Sequence, residues 1–232
     1  MLQQEVSEVG SYFSIIKAIA AGNHKLSAIA AVLEVKSTNL TKYLKTLMDL
    51  DILERRVPVT EENPEKSKRG LYKIKDNYLR FWFAFIYPNM SFIESGHSGI
   101  VMDKIRRGLT TSHIGFVYED ICEERMWELN VNNAWPFQFS KLGGYWDSKN
   151  EIDIAALDPE GKNLILGECK YWKEPVGLNV LHALETKACD VACERDRRKV
   201  WYVLFSISGF SDELRNHAAT RDDLLLIDDG ER

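Results

Sequence analysis

Apolar side chains recur at helical spacing three times within the first fifty positions of this 232-residue chain. From Ser11 to Ala21, Tyr12, Phe13, Ile15, Ile16 and Ile19 fall on one stripe, and Gly22-Asn23 brings the chemistry that ends a helix. Leu26, Ile29, Ala30 and Leu33 define a short second helix led by Ser27. Ser37 or Thr38 caps a third that runs through Leu50, with Leu40, Leu44 and Leu47 standing at i, i+4 and i+7. The pattern then changes to two strand-like runs, 52–57 and 70–74, joined by a polar loop that holds Lys66, Lys68 and Arg69.

Three helices followed by a hairpin predict a winged helix-turn-helix over residues 1–75. Residues 76–111 read as a connector. Its first part, Asp76 to Pro88, is the most aromatic run in the chain and is expected to be structural, a helix or extended segment gluing the two modules together, because so many rings left exposed would form a large sticky patch. Gly96, Gly99 and Gly108 bracket a helical turn or two from Ile100 to Arg107. Residues 112–232 predict a second domain. A helix from Ser112 to Leu129 turns Phe116, Val117, Ile121, Cys122, Met126 and Trp127 inward, with Glu119 and Glu123 projecting close to one another beside that side. Trp135 to Trp146 reads as a strand, loosened at Gly143-Gly144. Residues 151–157 and a strand that starts at Leu164 flank Asp158-Pro159-Glu160-Gly161, which has hairpin-turn chemistry. A helix from Leu178 to about Arg195, a buried strand at 200–205, a short helix opened by Ser211 and a last strand at 224–227 complete the order.

The β-hairpin carries the candidate chemistry. Side chains alternate along a strand, so Glu168 and Lys170 share a face from which Cys169 turns away. Closed at the Asp-Pro-Glu-Gly turn, the hairpin brings Asp153 to that face, across from Glu168. Two carboxylates suit Mg²⁺ or Mn²⁺, and a lysine beside such an ion orients water and offsets charge building on a phosphate. An Asp followed fifteen positions later by Glu-x-Lys in the next strand resembles the PD-(D/E)xK nuclease superfamily, and the order α-β-β-β-α-β is similar to its common core. The resemblance implies a restriction-endonuclease-like fold, Asp153 and Glu168 as metal carboxylates, Lys170 as the catalytic lysine and Glu119 as the first-helix acid. The fold class expected is thus α+β or α/β, a winged helix followed by a nuclease-like domain.

Charge distribution adds a partner. The chain carries −5 overall, yet residues 1–75 hold 12 Lys+Arg against 9 Asp+Glu and the remainder is acidic. Thr38, Asn39, Thr41, Lys42 and Lys45 lie opposite the leucine stripe of the third helix, where short polar and basic side chains meet base edges and phosphates. With Lys66, Lys68 and Arg69 of the wing loop they form the expected DNA-binding set. No apolar run is long enough to span a membrane and no signal-peptide pattern opens the chain, so a cytoplasmic location is expected. Cysteines 122, 169, 189 and 193 form no CxxC pair and read as buried thiols.

The chain also resembles the C-terminal half of a family of archaeal and bacterial AAA-type ATPases of unknown function, through Lys75-Asp76-Asn77-Tyr78-Leu79-Arg80-Phe81-Trp82-Phe83, Phe116-Val117-Tyr118-Glu119-Asp120 and Gly167-Glu168-Cys169-Lys170. That resemblance implies a P-loop ATPase partner in the same protein or in trans. No GxxxxGK[ST] occurs here, and Gly161-Lys162-Asn163 is only a turn, so no nucleotide is expected on these residues. Two functions follow: a Mg²⁺-dependent DNA phosphodiesterase, or a non-catalytic module that binds DNA or the ATPase.

Overall fold

A computed structural model describes residues 2–193 and 198–230, with the backbone alone for residues 2–9, 112, 192 and 193. Chain contacts divide it into two units, Met1–Val57 with Asn63–His113, and Pro58–Glu62 with Ile114–Arg232.

In the first unit, the three apolar stripes become α1 (Leu2–Ala20), α2 (Leu26–Val32) and α3 (Ser37–Asp49). Ile15, Ile19, Ile29, Leu40, Leu44 and Leu47 are buried together, the burial that makes short helices stable. The serines expected to lead α2 and α3 lie inside them. Extended Lys25 and Lys36 hold the N-cap positions, and neither gives a side-chain cap bond. Strands β1 (Leu53–Arg56) and β2 (Leu71–Ile74) pair antiparallel, Leu53 against Ile74.

The aromatic run folds into α4 (Asn77–Phe81) and a wide π-type turn over Trp82–Ile86. Asp76 starts α4 by accepting from the Leu79 N–H at 2.7 Å. Trp82, Phe83 and Tyr87 surround Phe13 of α1 at ring separations of 6.3, 5.2 and 5.0 Å, so the rings are glue within this unit. Beyond α5 (Met90–Glu94), the expected turn or two is a twelve-residue helix, α6 (Ser98–Leu109). Gly99 and Gly108 sit at its two ends, where glycine costs a helix least.

In the second unit, α7 (Gly115–Val131) is not opened by Ser112, which lies within a π-type helical turn over Thr110–Ile114, and the buried side of α7 also differs from the expected one. Tyr118, Cys122, Met126 and Asn130 point inward at four-residue steps, leaving Phe116, Ile121 and Trp127 exposed. Asn130 is inside because its amide satisfies both backbone groups of Phe139, donating to the carbonyl and accepting from the N–H at 3.0 Å each. That anchor explains why the strand expected from Trp135 begins only at Lys141: Trp135 and Phe139 are buried as an irregular segment broken by Pro136.

Strands β3 (Lys141–Trp146), β4 (Glu151–Leu157) and β5 (Asn163–Lys170) are antiparallel neighbours. Helix α8 (Leu178–Cys193) then leads to β6 (Lys199–Ser206), and α9 (Asp212–Ala218) leads to β7 (Leu224–Asp228). The continuation of α8 expected to Arg195 lies outside the described residues. Both crossovers give parallel pairs, so the described residues form a mixed sheet in the order β3-β4-β5-β6-β7. Apolar side chains cover both sides of it. Tyr118, Cys122 and Met126 of α7 pack with Ile154, Ile165 and Phe205, while Leu181 and Leu184 of α8 pack with Ala155, Leu164 and Leu204. Val59 belongs to the latter cluster, and its N–H donates to the Gly144 carbonyl at 3.0 Å, beside the bulge between Gly143 and Tyr145.

Candidate functional site

The β4–β5 turn sets the register on which the site depends. Gly161 adopts φ 68°, open to glycine at no steric cost, and Asp158 accepts from the backbone N–H and side-chain amide of Asn163 at 3.2 and 2.8 Å. The ladder then pairs Leu157 with Leu164 and Ile154 with Gly167. One step further sets Asp153 opposite Glu168, on the side of the sheet where Leu164 and Leu166 meet α8. Gly167 lets β6 approach: a Cβ there would lie 2.8 Å from the Val203 carbonyl oxygen.

Asp153, Glu168 and Lys170 meet. The Lys170 ammonium donates to Asp153 Oδ2 at 3.2 Å and closely to Glu168 Oε2. The Cys169 N–H donates to the same Asp153 oxygen at 2.9 Å, tying the acid of one strand to the backbone of the next. Glu168 is 5% exposed, whereas the side chains of Asp153 and Lys170 are each 18% exposed. Burial, then the Glu168 charge, lift Asp153 above its ordinary carboxylate value against the pull of Lys170. Burial pushes Glu168 up as well, but Lys170 and Lys187 outweigh it and hold this carboxyl below its ordinary value. Burial alone lowers Lys170, and the two carboxylates more than reverse that.

Two residues at the site carried no signal in the β-strand pattern. Lys187 reaches in from α8 and donates to Glu168 Oε1 and to the Glu151 carbonyl, both at 2.7 Å. Its trace in the sequence is positional: at about 100° per residue it falls beside Val180 and Val191 on the apolar side of its helix. Trp172, 47% exposed, presents its ring 5.8 Å from the Lys170 ammonium. Asp147 shapes the β3–β4 turn nearby by accepting from the N–H groups of Asn150 and Lys149 at 2.7 and 2.6 Å, which holds its carboxyl below the ordinary value.

Glu119 is half-buried on α7, which packs on the side of the sheet opposite α8, and its charge reaches Cys169. Cys169 and Cys122 are buried thiols that touch, and burial, then Cys122, push the Cys169 thiol well up. Cys189 is exposed, contrary to expectation, because it follows Ala188 around the helix away from the core; the Cys193 side chain lies outside the described residues.

Among the described residues no three His, Cys, Asp or Glu side chains group to hold a metal. The site offers two carboxylates. Mg²⁺ or Mn²⁺ is compatible with so few protein ligands, since such ions keep several waters. No donor among the described residues reaches Asp153 Oδ1, which leaves that oxygen open to a cation.

The nucleic-acid candidates lie in the first unit. Thr38, Asn39, Thr41, Lys42 and Lys45 are exposed along α3; Lys66 and Lys68 are exposed and Arg69 half-buried in the β1–β2 loop. Arg55 holds that loop, donating to the carbonyls of Pro64 and Ser67 at 2.9 and 2.7 Å. A groove of about 540 Å³ runs between Lys25, Ser27 and Ser37 on one side and Arg55, Ser67 and Lys68 on the other.

Residues 82–188 match the model of a family of archaeal and bacterial proteins of unknown function. An uncharacterized protein of Methanocaldococcus jannaschii is 40% identical over 174 residues, 75% of this chain but 38% of its own length. This chain therefore spans well under two thirds of that relative. Among solved structures, a repair endonuclease from Pyrococcus abyssi is similar at 12% identity and a TM-score of 0.31, over 46% of this chain and 45% of that one. EndoMS in complex with double-stranded DNA is similar at 15% identity and a TM-score of 0.31, over 47% and 46%. No described helix is long and apolar enough to cross a membrane.

Proposed function

We infer that the second unit is a divalent-cation-dependent phosphodiesterase centre of the PD-(D/E)xK kind, and that the first unit is a winged helix that delivers it to DNA. The observation that carries the reading is the Lys170 ammonium held between Asp153 and Glu168 on a strand pair. Asp153 and Glu168 are the residues that would hold Mg²⁺ or Mn²⁺, which when bound supplies Lewis-acid polarisation of a phosphoryl oxygen. Lys170 has three N–H groups and uses two on the carboxylates, so a third is left to orient the attacking water or to offset negative charge on the phosphate in an in-line displacement. Trp172 extends the site with an exposed ring. Glu119 is proposed as an outlying acid. On the first unit, α3 would face base edges through Thr38, Asn39 and Thr41, while Lys42, Lys45, Lys66, Lys68 and Arg69 would meet phosphates.

The test is cleavage of duplex, single-stranded and branched DNA with Mg²⁺ or Mn²⁺. Asp153→Asn and Lys170→Met are expected to lower the rate about a hundredfold or more, with unfolding midpoints measured alongside. A wild-type protein that cleaves none of these substrates overturns the reading.

One observation favours a second reading. Both Glu168 oxygens are already occupied by lysines, as they would be in a domain that keeps the fold and cleaves nothing. Such a module would hold DNA, or the P-loop ATPase that the sequence resemblance implies, and its DNA affinity would survive Asp153→Asn.

A further inference from the structure

Glu168 is the most enclosed charge in the site, and each of its oxygens faces an ammonium group, Lys170 on one side and Lys187 at 2.7 Å on the other. With Asp153 beside them, two acids confront two lysines, so the formal charges of the cluster balance with no added ion. Charge balance in a partly buried site matters more than in water, because each unmatched charge is poorly screened. A divalent cation entering this cluster alone meets two positive charges already in place. A phosphodiester entering with it brings negative charge that offsets the excess.

The two lysines are not equivalent. Lys170 lies on β5 with its side chain 18% exposed and is held by both carboxylates. Lys187 comes from α8, has its side chain 30% exposed, and rests on Glu168 and the Glu151 carbonyl. The Lys187 side chain is the more exposed of the two, and a long flexible stem carries its charge toward solvent readily, so Lys187 is the group positioned to yield.

Resting on the catalytic reading above, we propose that Lys187 acts as a resident counter-ion that makes divalent-cation binding at Asp153 and Glu168 conditional on a phosphodiester bound beside them. Lys187 is a positioning residue here: it acts through Glu168. The coupling is reciprocal, so the cation tightens phosphodiester binding by the same factor.

The experiment is Mn²⁺ titration calorimetry of the full chain, with and without a short phosphorothioate duplex that resists hydrolysis, the duplex alone being subtracted. Wild-type protein is expected to bind Mn²⁺ at least about tenfold more tightly with the duplex than without it. Lys187→Met is expected to bind Mn²⁺ about tenfold more tightly than wild type in the absence of DNA, and to lose most of the duplex dependence. Lys187→Arg keeps the charge and should behave as wild type. Lys187→Gln, neutral and also polar, repeats the test if methionine lowers the unfolding midpoint. If wild type binds Mn²⁺ and the neutral variants bind it no better, or if arginine behaves as methionine does, the counter-ion role falls and the catalytic reading stands. If Mn²⁺ binds no variant with or without duplex, both fall.

Discussion

Gly167 precedes the acid of the Glu-x-Lys motif, and its missing side chain matters. A Cβ at this position would meet Val203 Cγ1 at 2.5 Å and Ile154 Cβ at 3.2 Å, with β6 backbone behind them. Gly167→Ala therefore overpacks both neighbouring strands, and urea unfolding should show a loss of about 1–3 kcal/mol. A second residue-scale effect depends on pH. Arg221 donates to both oxygens of Asp223 at 2.8 and 2.9 Å, and closely to Glu185 of α8. The Arg221 bond, against the upward push of burial, holds Asp223 below its ordinary carboxylate value. A depressed acid stabilises the fold above its unfolded value of about 4 and loses that contribution as pH falls through the lower folded value. Arg221→Ala should thus be destabilising at neutral pH, with the gap to wild type narrowing as unfolding is followed into acid. Asp153, Glu168 and Lys170 were legible at this scale because strand alternation and one turn place them with no knowledge of the rest of the chain. Lys187 was not: its meeting with Glu168 depends on how α8 is rotated against the sheet, which packing decides.

At the scale of elements, patterns with one clean period were the readable ones. The α3 stripe of Leu40, Leu44 and Leu47 and the alternating β4 needed no tertiary help. Helix α7 was harder, because apolar residues occur nearly all round it, and what chose the buried side was Asn130, a polar residue that binds the Phe139 backbone. The same anchor held Trp135 and Phe139 in an irregular segment that their aromatic character had suggested as strand. Helix α8 shows what the packing contributes: Leu181 and Leu184 are fully buried on the side of the sheet that carries the candidate acids. Leu181→Ala should cost about 2–5 kcal/mol in chemical unfolding, and should loosen the Lys187 contact with Glu168 if the helix shifts.

For the molecule as a whole, charge is divided unevenly, with a net positive first 75 residues on a chain of −5 overall. If α3 and the β1–β2 loop dock on DNA, the log of affinity should fall linearly with the log of salt concentration. Replacing Lys42 and Lys45 together by alanine should reduce that slope by about 2, largely independent of DNA sequence. A slope near zero in the wild type would remove backbone docking altogether. The division into units is also not a simple cut in the sequence, since residues 58–62 count with the second unit although the chain on either side of them counts with the first.

That short inserted stretch has a further consequence. Strand β3 is an outermost strand, and Val59 already occupies the carbonyl of its Gly144. Rim strands with open peptide groups recruit the rims of other copies. Val59 thus shields one peptide group of that rim, and trimming the loop around it is expected to uncover a place for another strand to add.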